Sequence, residues 1–160
     1  MKAPVLTAPL KRRSSLRLTI SAKAGARYAP FIKRQITLAH RLLKSKLTEI
    51  NIALVGDAKM SELHEEFLGV SGSTDVITFP LDDDSGEIVI CVPVAQRQAK
   101  ANNVPLKLEL LLYAIHGLLH LCGYDDRTAA GFREMHRTED SILRRLGFKA
   151  VFKSTPEKAR

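Results

Sequence analysis

The chain is poor in several features that would commit it to other lives. Its 160 residues include two cysteines, Cys91 and Cys122, each within or beside an apolar segment and outside any paired framework. That pattern excludes a disulfide-stapled secreted domain and fits reduced thiols. A long hydrophobic run is also missing: the best stretch, Leu108 to Cys122, is interrupted by Glu109, His116 and His120 and is too short to cross a bilayer comfortably. The N-terminus, MKAPVLTAPLKRRSS, has basic and scattered apolar residues but no continuous apolar segment, so it does not work as a secretory signal. A cytoplasmic protein without membrane attachment is expected. Acidic residues are absent before Glu49, whereas residues 1–48 carry twelve of the 25 Lys and Arg. The formal net charge of +8 therefore resides in the first third, and the remainder is slightly acidic. Such a field suits a polyanion, of which nucleic acid is the commonest in cytoplasm. An anionic lipid surface is the weaker alternative, because YAPFIKRQITLAHRLLKSK has helical periodicity but few bulky aromatics for interfacial insertion.

What is present is enough apolar content, 45%, for one real core. Residues 1–14, with Pro4, Pro9 and the run Lys11-Arg12-Arg13, read as a flexible basic arm; 15–150 read as a single catalytic domain and 151–160 as a disordered tail. Alternation predicts strands over 16–20, 50–56, 75–80 and 87–91, the third stopped by Pro80 and joined to the fourth through the turn LDDDSG. Helical spacing predicts helices over 31–46, from Asp57 as cap to Leu68, and over 93–102, 106–122 and 128–146. The order argues for an α+β fold: a small mixed or antiparallel four-stranded sheet packed against about five helices.

The most informative stretch is HGLLHLCGYDD, residues 116–126. Two histidines four apart on a helix share one face, so His116 and His120 can aim ring nitrogens at one point. Gly123 suits the left-handed conformation that ends a helix, which turns Tyr124, Asp125 and Asp126 back towards that face. A third ligand can come from this turn. Zinc accepts two histidines and a carboxylate while keeping an open fourth position, the arrangement of a catalytic site. Histidines satisfied by backbone carbonyls in the core would leave several polar groups on an apolar helix without a purpose. The zinc peptidase motif places a glutamate general base directly after the first histidine. Here that position is Gly117, which removes the base and leaves room near the metal.

HGLLHLCGYDD resembles the His-Gly-x-Leu-His-Leu-x-Gly-Tyr-Asp-His signature of the YbeY family, bacterial metal-dependent endoribonucleases of rRNA maturation. STDVITFP (73–80) is similar to that family's Thr-Asp-Val-Leu-Ser-Phe-Pro strand, GEIVIC (86–91) to its next strand, and LHEEFLG (63–69) to the helix end before it. The resemblance spans roughly residues 50–146. It implies a zincin-like α+β fold, a zinc site, and single-stranded RNA as substrate, with a role in small-subunit rRNA maturation and ribosome quality control. The family's third histidine falls on Asp126, so the implied ligand set is His116, His120 and Asp126, with one Zn2+ per chain and a harder oxygen ligand that favours tolerance of Mn2+. Asp125 or Tyr124 is expected to orient the ligands, and Lys11, Arg12, Arg13 and Arg127 to contact RNA. An arginine usual in the family before its Thr-Asp-Val strand is replaced by Leu68; Arg127 and Arg97 are candidates for its task. The competing readings are a ribosome-assembly RNA-binding factor with a structural zinc, and a zincin-type peptidase, which Gly117 disfavours.

Overall fold

Alternating apolar residues along the strands sort them onto two faces of one sheet, and that sorting positions everything else. The computed structural model describes residues 15–149; the arm expected over 1–14, with Lys11, Arg12 and Arg13, and the tail expected over 151–160 lie outside them. The elements are β1 (Arg17–Ala22), α1 (Ala29–Leu42), β2 (Glu49–Val55), α2 (Asp57–Leu68), β3 (Val76–Asp82), β4 (Ser85–Cys91), α3 (Val92–Asn102), α4 (Leu106–Leu121) and α5 (Ala129–Arg145). The strands order β1-β2-β4-β3, with β1–β2 and β2–β4 parallel and β3–β4 antiparallel. This is the mixed four-stranded α+β fold with five helices that the pattern predicts.

Ile50, Ile52 and Leu54 of β2 and Ile88 and Ile90 of β4 point to one face, where α4 buries Leu110, Leu111, Ala114, Ile115 and Leu118 against them. Val55, Val89, Cys91 and Ile77 point to the other face and are covered by Met60 of α2. Because α4 carries apolar residues nearly all round, it is the central helix, flanked by α1, α3 and α5. Among the described residues no single helix is long and apolar enough to cross a membrane.

Three local expectations change. Pro80 does not stop β3, which continues to Asp82 with a register shift between Pro80 and Asp82. β3 is an edge strand, where a residue without an N–H is tolerated. Asp57 does not cap α2: Gly56 precedes the helix as its N-cap, and the Asp57 carboxylate instead takes the fork of Arg97 at 2.9 and 3.0 Å. That pairing is the main reason its pKa falls to about 2. The first helix ends at Leu42 rather than 46, because Lys44 adopts φ 50 in the left-handed region and reverses the chain towards β2.

Candidate metal centre

The C-terminal half of α4 carries His116 and His120 on one face, with ring centroids 4.6 Å apart. Each ring has its Nδ1 engaged. His120 Nδ1 donates to the Tyr124 backbone carbonyl at 3.1 Å, an arrangement made when Gly123, at φ 97, folds the chain back after the helix. His116 Nδ1 donates to Glu139 Oε1 of α5 at 2.6 Å. A carbonyl and an ionised carboxylate only accept, so both Nδ1 atoms carry a proton, and in its neutral form each ring turns a bare Nε2 lone pair to the centre.

Those lone pairs face each other across 3.0 Å, and Asp126 Oδ2 lies 3.4 Å from one and 3.7 Å from the other. With both rings neutral, three acceptors converge and repel, and a cation relieves them. The triangle also has the right size, since tetrahedral bonds of about 2.0–2.1 Å put donor atoms about 3.3–3.4 Å apart. The side chains of His116, His120 and Asp126 are 22%, 27% and 33% exposed, so one side of the cluster opens to solvent and substrate. A closed structural site would not leave that access.

Glu139 is the residue that sequence reasoning missed. It is buried on α5 in line with Met135, Ile142 and Leu143, and it bridges His116 to His136, whose Nδ1 is 3.0 Å from Oε2. Burial pushes its pKa up, but the hydrogen bonds from the two histidines outweigh this and hold it below the usual glutamate value. His116 responds in the opposite sense. Burial depresses its pKa, yet the Glu139 hydrogen bond and charge, with Asp126 and Asp75 nearby, bring it above the ordinary value. An acid on the apolar stripe of an amphipathic helix was the available signal. His136, which its own sequence neighbourhood gives no reason to include, reaches the centre only through Glu139.

The other expected site residues are distributed differently. Tyr124 takes part through its backbone carbonyl, while its side chain packs against the core. The hydrogen bonds of the Asp125 carboxylate go to Arg127, through Nε at 3.0 Å and Nη2 at 2.7 Å, and they lower its pKa to about 2. Leu68 is exposed at the end of α2, and Arg97 is committed to Asp57. Gly117 does not open space beside the donors. A Cβ there would meet Ile88 Cγ2 at 2.6 Å and Thr78 Cγ2 at 3.1 Å, so the glycine lets α4 press against the sheet. A glutamate in its place has no room.

Gly131 secures the turn in a similar way. Its Cβ would stand 2.0 Å from the Asp125 carbonyl oxygen, and its N–H is accepted by Thr128 Oγ1 at the start of α5. Gly131→Ala must displace the backbone that carries Asp126. The expected result is a loss of about 1–3 kcal/mol of stability from overpacking, with weaker metal binding at retained helix content. Metal titration of the variant checks this, and unchanged affinity would mean the turn need not be held in place.

Two histidines on a helix packed against a mixed sheet, with a carboxylate on the turn that follows, form an open three-donor set of the kind found in metal-dependent hydrolases. Comparison with known proteins makes this specific. The family model described as Endoribonuclease YbeY matches residues 19–147, and the chain belongs to that family. The curated Endoribonuclease YbeY of Moorella thermoacetica is 37% identical over 116 residues, covering 63% of this chain and 74% of its own. The one from Bifidobacterium animalis subsp. lactis is 35% identical over 125 residues, covering 71% and 69%. The solution structure of TM1509 from Thermotoga maritima is similar with a TM-score of 0.59 and 27% identity, covering 90% of this chain and 99% of that one.

Proposed function

We propose that this protein is a metal-dependent endoribonuclease that cuts single-stranded RNA in rRNA maturation of the small ribosomal subunit, in the cytoplasm, with one zinc ion held by His116, His120 and Asp126. The observation that carries the reading is the convergence of His116 Nε2, His120 Nε2 and Asp126 Oδ2 to within 3.0–3.7 Å of one another. When bound, the ion supplies Lewis-acid charge for the scissile phosphate and an activated water. The chain's own groups prepare that chemistry. Glu139 and the Tyr124 carbonyl fix the tautomers and directions of the two rings. Asp126 adds negative charge at the open rim. Arg127 spends Nε and Nη2 on Asp125 and is 86% exposed, which leaves Nη1 for an RNA phosphate. Lys11, Arg12 and Arg13, outside the described residues, add positive charge for RNA phosphates.

The test is RNA cleavage and metal content measured on the same preparations of wild type and Asp126→His. A carboxylate lowers the net charge of the donor set by one relative to imidazole, so a third histidine should move the rising limb of the pH–rate profile to lower pH while metal is retained. The profile is measured as kcat/KM below saturation with a slow substrate. A limb that stays in place in a folded, metal-containing Asp126→His protein excludes Asp126 as the third ligand. Asp126 oxygen ligation also favours activity with manganese, and that preference should weaken in the same variant.

A further inference from the structure

Two open grooves meet at the loop between α1 and β2. One, of about 370 Å³, is bounded by Leu121, Cys122 and Tyr124 on one side and by Lys44 and Lys46 on the other. The second, of about 540 Å³, shares those two lysines and runs on past Arg41 to Ser15, where the described chain begins. Tyr124, which bounds the first groove, is also the residue whose carbonyl holds His120. The groove system therefore runs from Tyr124, on the turn of the metal centre, to Ser15.

Its charged lining is mainly basic. Arg41, Lys44 and Lys46 line the grooves, and among the described residues none of them enters an ion pair. Asp83 is the opposing carboxylate on the wall of the first groove, and Asp84 accepts a hydrogen bond at 3.0 Å from Thr48, which lines the second, so three cations face two carboxylates. Lys44 is held in a left-handed backbone conformation that lysine rarely adopts, which fixes it at the saddle between the two grooves. An unpaired cationic trough open to solvent fits a chain of phosphates better than an apolar or compact ligand.

We propose that these grooves form one track for single-stranded RNA, in which Lys44 and Lys46, followed by Arg41, hold the backbone phosphates of the strand leaving the metal centre past Tyr124. The track rests on the endoribonuclease reading and adds a positioning subsite to it. These residues act on where the strand lies and touch no reacting atom. Their removal should therefore raise KM for long RNA and leave kcat unchanged.

The test compares Lys44→Asn/Lys46→Gln with Arg144→Gln/Arg145→Gln, a double variant of equal charge change at the far end of α5. Asparagine tolerates the left-handed conformation, so the first variant keeps the loop. Each is loaded with metal and assayed on a 20-nucleotide unstructured RNA. The expected result is about a tenfold higher Kd at 0.1 M salt and a salt dependence shallower by about 1.4, since each single-strand phosphate left without its lysine lowers the slope by about 0.7. Metal content and kcat stay at the wild-type level. Unchanged affinity, or an effect no larger than that of the Arg144 and Arg145 changes, overturns the track while leaving cleavage by the metal centre intact. A metal-loaded wild type that neither binds nor cuts the RNA overturns the endoribonuclease reading and the track with it.

Discussion

His116→Ala is expected to remove the bound metal and to lower RNA cleavage by at least roughly 10²–10³-fold, the usual cost of losing a charge-stabilising group at a reacting centre. Two effects combine. The donor triangle loses a corner, and a site with two remaining ligands, one of them a partly exposed carboxylate, holds zinc poorly. Glu139 also loses one of its two imidazole partners while it stays buried, so the variant should be less stable as well. His116→Gln separates the two effects, because an amide can still donate to Glu139 yet offers a poor ligand. It should fold more stably than His116→Ala and be as deficient in metal. Elemental analysis beside thermal unfolding reads both, and a His116→Ala protein with its full metal content would move the site elsewhere.

Glu139→Ala should cost about 1–3 kcal/mol, the range for leaving hydrogen-bonding groups unpaired, and about 10–100-fold in metal affinity, the range for removing the hydrogen-bond partner of a ligand histidine. The pH dependence tests the cause. Glu139 has a lowered pKa in the folded state, so its contribution to stability is present above the ordinary glutamate value and is lost as pH falls through the lowered one. His116 has a raised pKa, so in the metal-free protein its contribution is full below 6.5 and is lost as pH rises through the raised value. The proton on His116 competes with metal, and wild-type affinity should begin to fall at a pH above 6.5 as acid is added. Glu139→Gln removes the charge that raises the His116 pKa. The onset of that fall should then shift to lower pH, although the affinity on the alkaline side is weaker. Metal titrations at several pH values distinguish this crossing from a uniform loss, and an unmoved onset would reduce Glu139 to scaffolding.

The parts of this site that could be read from the sequence are those set by local geometry. His116 and His120 are a turn apart on one helix, and Gly123 ends that helix in the conformation expected of it. The strands and helices were legible for the same reason, since period and turn residues act within a few positions. Meetings between distant segments were not. Glu139 reaches His116 across 23 residues, and only the docking of α5 on α4 determines that pairing. The space around Gly117 was misjudged because its neighbours, Ile88 and Thr78, come from β4 and β3. Pro80 reads as a stop because its tolerance depends on β3 being an edge strand, a property of the sheet rather than of the strand. Asp125 and Asp126 are adjacent carboxylates of equal chemistry, and what separates them is the position of Arg127 relative to the turn.

The most direct measurement is a zinc titration of the metal-stripped wild-type protein, followed by cleavage of single-stranded RNA and by bound metal at each addition. Cleavage should be absent at the start, rise in proportion to bound zinc and reach its plateau at one ion per chain; metal-stripped His120→Ala should gain neither metal nor activity over the same range. Full cleavage by metal-free protein, or restoration of His120→Ala by the same zinc, would contradict the assignment of the centre to His116, His120 and Asp126.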